Sequence, residues 1–350
     1  MREITVGANE AGQRLDKFLG KYLNLAGKGF LYKMMRKKNI VLNGRRCEGP
    51  ELLKTGDTVK LFLADETIEK FSEVQVQKVK KTRLDILYED RDILLVNKPS
   101  GMLSQKAKEG DESLVEYLID YLLGSGALKR DDLRAFKPSV CNRLDRNTSG
   151  IVAAGKSLAG LQMLSRVFRD RTIHKYYQCI VFGEMREART VDGWLLKDPA
   201  ANTVQILSEE KKDALPIRTR YEPLSTNGAF TLLKVTLFTG RSHQIRAHLA
   251  SLGHPIVGDP KYGPASGRSG RRSSGRGAEK SAEILSKYGI RSQLLHSYRL
   301  EFPELPEPFA YLSKRAFEAP LPEEFSRMAA GEGLILVRKT RPGGVQRNSI

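Results

Sequence analysis

One carboxylate stands between two guanidinium groups in the run Asn142-Arg143-Leu144-Asp145-Arg146-Asn147-Thr148-Ser149-Gly150. Arg143 and Arg146 favour the ionised form of Asp145, which is the form that acts as a nucleophile, and both can grip a polyanion. Thr148, Ser149 and Gly150 allow a tight turn into the apolar run 151–154, so Asp145 is expected on a loop leading into a buried strand. Loops on rigid scaffolds are common places for reacting groups. Taken alone, a loop aspartate is more often a turn former or a cap.

Other reactive residue types are less well placed. Cys47, Cys141 and Cys179 are odd in number and scattered, which leaves neither a disulfide framework nor a Cys-x-x-Cys metal site. Cys141 lies four residues before Asp145, but in the apolar pair Val140-Cys141 it reads as a buried, inert thiol. His243 and His248 are five apart, which points them about 140° apart on a helix, unlike the i, i+4 pair of a zinc hydrolase. With His254 they read as groups that hydrogen-bond backbone or phosphate. No Gly-rich phosphate loop follows a predicted strand, so neither a metal nor a nucleotide cofactor is expected.

The elements that must position Asp145 belong to a chain of 350 residues, 40% hydrophobic, long enough for a sizeable core and more readily two domains than one. A net charge of +18 points to a polyanionic partner, because clustered Lys and Arg displace counterions from phosphates. A membrane surface is the competing reading of basicity. There is no apolar run of about 18 residues, and residues 1–12 lack the basic and apolar regions of a signal peptide. A cytoplasmic, nucleic-acid-facing protein is expected.

Residues 14–23 place Leu15, Phe18, Leu19, Tyr22 and Leu23 on one helical face, and a second helix fits 30–38 with Phe30, Leu31, Met34 and Met35 inward. A strand at 40–42 meets the tight-turn pair Asn43-Gly44, and Gly56-Asp57 precedes alternating Val59, Leu61 and Leu63. Lys28, Lys33, Arg36, Lys37, Lys38, Arg45 and Arg46 crowd this segment with no acidic residue between 28 and 46. Such density reads as an RNA-backbone surface rather than only a solvated helix face. The stretch 64–82 reads as a linker, which gives a first domain at 1–70 and a linker at 71–83. A hairpin over 86–96 then ends in the turn Asn97-Lys98-Pro99-Ser100-Gly101. Further on come a helix at 158–168 capped by Ser157, strands at 175–183 and 231–238, a basic disordered loop at 264–280 and a basic tail at 326–350.

The Asp145 run matches seven of the nine positions of a His-Arg-Leu-Asp-Arg-Asp-Thr-Ser-Gly loop, and so resembles the RluA-type pseudouridine synthases, with Asn142 and Asn147 as departures. In that family the aspartate attacks a uridine of RNA. The turn at 97–101 is similar to the family's Asn-Lys-Pro-x-Gly, although Gln105-Lys106 replaces its usual His-Pro pair. Residues 175–183 resemble its Lys-x-Tyr-x-Ala-x-Val-x-Gly strand, which implies that Tyr177, not Tyr176, stacks on the uracil and offers a hydroxyl near C5. Residues 239–259 resemble its third signature, which implies that Arg246 pairs with Asp145, holding it bidentately as the anion. Gly253 suits the end of the helix there. Leu294-Leu295-His296 resembles a further segment in which His296 is structural.

The basic first domain resembles, in Arg14-Leu15-Asp16, its second helix, Val41-Leu42-Asn43-Gly44 and Gly56-Asp57, the small α-L domain of a small-subunit ribosomal protein. Together these resemblances imply an α+β catalytic domain at 84–325 with a mixed, largely antiparallel central sheet and flanking helices. Asp145 is expected as nucleophile, Tyr177 as base-stacking residue and Arg246 as its partner, with Arg143 and Arg146 on the RNA. Large-subunit ribosomal RNA is the expected target and transfer RNA the alternative. A monomer without cofactor is expected. A non-catalytic RNA-binding or assembly factor is the rival, supported by Asn142 and Asn147; Asp145, Tyr177 and Arg246 together weigh against it. A hydrolase using Asp145 with a histidine lacks a matching motif.

Overall fold

The computed structural model describes every residue except 8, 74–75, 81–82, 265–274 and 335–350, and divides into two units, Met1–Ile173 and His174–Ile350. In the first unit, β1 (Arg2–Thr5) precedes α1 (Leu15–Tyr22), whose Leu15, Phe18, Leu19 and Tyr22 are all buried, as their spacing requires. The second helix, α2 (Lys28–Arg36), buries Leu31, Met34 and Met35; it ends before the expected 38 because Lys38 turns left-handed, at φ 61°. β2 (Ile40–Leu42) and β3 (Arg45–Arg46) form the hairpin, with Asn43 and Gly44 both at positive φ, 50° and 72°, as a type I′ turn demands. β4 (Thr58–Leu61) lies between β1 and β2 in a sheet of order β1-β4-β2-β3. Leu15, Phe18, Leu19, Ile40, Val59 and Leu61 form a shared core, each full burial contributing about 1.5–3 kcal/mol.

α3 (Asp65–Phe71) occupies the start of the linker-like stretch 64–82 and ends where the expected linker, 71–83, begins. Ile68 is buried in the same core, and the Phe71 ring lies 4.5 Å from that of Phe30. The apolar signal of α3 is two residues in seven, too short to read as a period.

β5 (Ile86–Glu89) and β6 (Ile93–Lys98) form the next hairpin, closed where Asp90 accepts from the backbone of Asp92 and Ile93. α4 (Leu114–Gly124) starts on a capping box of Ser113 and Glu116, and β7 (Ser139–Val140) follows. β8 (Ser149–Gly155), buried throughout, pairs antiparallel with β6 from Ile93↔Gly155 to Lys98↔Gly150. This register places the end of β6 beside the start of β8. α5 (Leu158–Arg169) is capped by Ser157, whose hydroxyl accepts from the Gly160 N–H at 3.0 Å. A Cβ at Gly155 would come within 2.4 Å of the Leu161 backbone, so the close approach of α5 to β8 needs glycine there.

The second unit is a meander of long antiparallel strands. β9 (His174–Phe182), β10 (Arg189–Asp198), β11 (Thr203–Leu207), β12 (Leu215–Thr226) and β13 (Phe230–Leu237) precede α6 (Gln244–Ser251), α7 (Gly275–Tyr288), β14 (Leu295–Glu301), β15 (Ala316–Glu318) and α8 (Glu323–Gly331). The order is β11-β10-β12-β13-β9-β14, with β15 on β14. The class is α+β. Two expectations change here. The expected basic loop at 264–280 is helical from Gly275, and residues 265–274 lie outside the described residues. The tail was read from 326, but α8 buries Met328 and Ala329 against Ile284 and Tyr288 of α7, and only 335–350 lies outside the described residues.

Candidate active site

In the first unit, Asp145 sits half-buried on the loop between β7 and β8, with Arg143 and Arg146 exposed on either side. The turn residues just after β6 hold this loop at several backbone positions. The Ser104 hydroxyl donates to the Leu144 carbonyl at 2.9 Å and accepts from its N–H at 3.0 Å. The Ser100 hydroxyl donates to the Asn147 carbonyl at 3.0 Å, and the Gly101 N–H to that of Arg146 at 2.9 Å. The Thr148 N–H closes the turn on the Asp145 carbonyl at 3.0 Å.

Lys98, wholly buried at the end of β6, adds the strongest clamp. Its Nζ donates to the carbonyls of Pro99, Met102 and Arg146 at 2.9, 2.9 and 3.1 Å. Burial pushes the ammonium down to about 7, while the Asp145 carboxylate pulls it the other way. Three carbonyl acceptors match the three protons of an ammonium, and a neutral amine would leave one facing a lone pair. The geometry therefore favours the charged form beside Asp145.

Asn142, a departure from the family loop, has a definite structural role. Its amide donates to the Ile151 carbonyl at 3.1 Å and accepts from the Ala153 N–H at 2.8 Å, closing the loop across the start of β8. Where Gln105-Lys106 replaces the family's His-Pro pair, Lys106 pairs with Glu116 at the start of α4, 3.4 Å away. Cys141 is half-buried, and burial lifts its thiol to about 11, in keeping with an inert residue.

In the second unit, Tyr177 is buried at the middle of β9, opposite Val235 of β13 and Ser297 of β14. It shares a strand face with Lys175 and Cys179, while Tyr176 points to the other face. Arg246 lies on α6, which is buried from Gln244 to Leu249. The helix is set by Gln244, whose side-chain oxygen accepts from the Thr239 hydroxyl and the Arg241 N–H, each at 3.0 Å. Gly253, at φ 85°, follows its end as expected.

Within this unit Arg246 forms a bidentate fork with Asp259. Nε donates to Oδ2 at 2.7 Å and Nη2 to Oδ1 at 2.9 Å, with both side chains almost fully enclosed. Asp259 also accepts from the N–H groups of Lys261 and Tyr262 at 2.9 and 3.1 Å. The guanidinium lies over the Tyr262 ring, 5.3 Å from its centroid. The Tyr262 hydroxyl accepts from the Val204 N–H and pairs with His243 Nδ1, each at 2.9 Å. Asp259 and Tyr262 had no role in the sequence reading. A spacing of 13 residues across a turn carries no periodic signal.

The histidines serve separate partners: His243 the Tyr262 hydroxyl, His248 that of Tyr221 at 3.0 Å, and His254 the Phe182 carbonyl at 3.1 Å. Burial holds His248 down at about 4, helped by Arg189, and holds the wholly buried His296 at about 4. Among the described residues no group of His, Cys, Asp and Glu could hold a metal ion, and no helix is long and apolar enough to cross a membrane. The seven basic residues Lys28, Lys33, Arg36, Lys37, Lys38, Arg45 and Arg46 are all exposed.

A family model described as RNA pseudouridylate synthase matches residues 92–251, the span that contains Asp145, Tyr177 and Arg246. Ribosomal large subunit pseudouridine synthase C of Escherichia coli (strain K12) is 33% identical to this chain over 270 residues, 74% of this chain and 79% of that protein. The protein of that name from Vibrio cholerae serotype O1 is 32% identical over 309 residues, 85% of this chain and 88% of the other. Among solved structures, human RNA Pseudouridylate Synthase Domain Containing 4 superposes with a TM-score of 0.56 at 22% identity, over 72% of this chain and 94% of that one. That likeness is one of fold.

Proposed function

Because this chain belongs to the RNA pseudouridylate synthase family, we propose that it converts uridines of large-subunit ribosomal RNA to pseudouridine, with Asp145 as the nucleophile. The reaction breaks the bond from sugar C1′ to uracil N1 and joins C1′ to C5. A proton leaves C5 and N1 gains one, so no electron enters or leaves the uridine. Asp145 begins this as the anion, by attacking C1′ or C6 or by removing a sugar proton. Tyr177 stacks on the extruded base and supplies the route for the C5 proton. Arg246 orients Asp145. Arg143 and Arg146 hold phosphates beside the loop. The enzyme acts as a cytoplasmic monomer.

The observation that carries this reading is the anchoring of the Asp145 loop. Lys98, Ser100, Gly101 and Ser104 pin the backbone on both sides of one carboxylate. Such pre-organisation is what a nucleophile needs. Asp145→Asn, isosteric but not nucleophilic, is expected to abolish pseudouridine formation while retaining RNA affinity; measurable turnover would sink the assignment. Carbodiimide-adduct mapping of total RNA from cells with and without the gene tests the target. A stop should vanish in large-subunit RNA, and one vanishing only in transfer RNA would overturn that choice.

A further inference from the structure

We propose that Tyr32 is a stacking platform for an unpaired RNA base, set in the cationic face of α2. The proposal rests on the reading of this enzyme as an RNA-binding protein and adds a binding site away from the Asp145 loop. Tyr32 is 43% exposed, at the edge of the buried stripe of Leu31, Met34 and Met35 on α2. Its ring is nevertheless fixed. The hydroxyl donates to Asp16 Oδ2 at 2.9 Å, and Asp16 is gripped by Arg14 through Nε at 3.0 Å and Nη2 at 2.8 Å. Arg14 holds the Asp16 carboxyl down at about 2, so the anchor persists across the pH range of RNA binding. A Cβ at Gly49 would stand 3.2 Å from Tyr32 Cε1, so the ring lies beside bare backbone.

The charges around the ring suit a single strand. Lys28 and Arg36 flank Tyr32 at i−4 and i+4, each about 6 Å along the helix axis, and Lys33 and Lys37, about 100° and 140° further round the helix, extend the positive charge. Of the carboxylates nearby, Asp16 is paired with Arg14, and Glu51 is taken up by the N–H groups of Glu48 and Gly49 at 2.6 Å each, so the charge that α2 presents is cationic. Cations that track phosphates around an aromatic ring are how proteins hold single-stranded RNA. A duplex hides its base faces, whereas a loop or bulge offers one. A ring already anchored loses little freedom on stacking. A purely structural tyrosine, tying α2 to α1 through its hydroxyl, would not need its ring in solvent.

The test is equilibrium binding of the full chain to a hairpin with an unpaired loop and to a fully paired duplex, across a salt series. Tyr32→Ala should weaken hairpin binding about tenfold, or about 1.4 kcal/mol, and leave duplex binding and the log–log salt slope unchanged. Lys33→Ala should instead lower the slope by about 0.7 to 0.9. Tyr32→Phe, which keeps the ring, should retain most of the hairpin affinity. Equal loss on both RNAs, no loss on either, or a Tyr32→Phe defect as large as that of Tyr32→Ala overturns the platform. A measurement independent of stability uses Tyr32→Trp in a Trp194→Phe background. The indole emission should change with the hairpin and not with the duplex, and an equal response to both counts against stacking. If the unaltered protein binds no hairpin, the RNA reading falls with the platform. If it binds and Tyr32→Ala binds equally, the platform alone falls.

Discussion

Arg246 and Asp259 form an almost fully enclosed ion pair, and that enclosure defines what each does. Removing one partner of such a pair leaves a desolvated charge, which costs about 3–5 kcal/mol. Asp259→Ala should therefore lower the unfolding free energy by about that much, measured by urea titration, and a loss under about 1 kcal/mol would show that water reaches the guanidinium. Arg246→Ala should also slow single-turnover pseudouridine formation more than about tenfold, or about 1.4 kcal/mol, through loss of orientation at Asp145. Residue types were readable from sequence where chemistry demands a motif: Asp145, Tyr177 and Arg246 all lie in recognisable runs. Partners that meet only after folding were not. Asp259, Ser104 and Lys98 have no spacing rule linking them to the residues they hold, and Asn142 read as a departure although its amide closes the loop.

At the scale of elements, the apolar stripes of α1, α2 and α5 were readable, while α4, whose stripe is as full, was not marked. The buried positions of α1 are the ones its sequence marks, and Ser157 caps α5. Elements whose apolar face is only two or three residues were read as linker or tail, as at α3 and α8, because their stability comes from packing on neighbours rather than from their own pattern. The clamp on the Asp145 loop is another tertiary product, and Ser104 tests it. Its hydroxyl serves both backbone groups of Leu144, so Ser104→Ala should strand two buried groups and cost about 1–3 kcal/mol of stability. If the clamp positions the nucleophile, kcat should fall severalfold and by more than KM rises, because Arg143 and Arg146 on the same loop carry only part of the proposed RNA contact. A change confined to KM would mean that the clamp shapes binding instead.

For the whole molecule, the reaction and the histidines lead to two expectations about conditions. Isomerisation balances in protons and electrons within the uridine, and three of the histidines are hydrogen-bonded to tyrosine hydroxyls or backbone. A short stem-loop that folds without magnesium should therefore be modified in EDTA with no added nucleotide, and recovery only on restoring zinc would overturn the Asp145 mechanism. Acid should act through burial. His248 and His296 are held at about 4 in the folded chain, against about 6.5 when unfolded. Both are neutral in the fold at pH 7. Between about pH 6.5 and 4 the unfolded chain binds more protons than the folded one, so stability falls as pH falls through that window. Each histidine contributes a slope of up to about 1.4 kcal/mol per pH unit. His296→Gln shifts the baseline by an amount independent of pH but removes one of the two proton uptakes, and carboxylate titration is common to both proteins. Urea unfolding at pH 7, 6, 5 and 4.5 should thus give a shallower acid slope for His296→Gln than for the parent. Parallel slopes would mean that His296 is protonated as readily inside the fold as outside it, which its position in β14 with no exposed surface argues against.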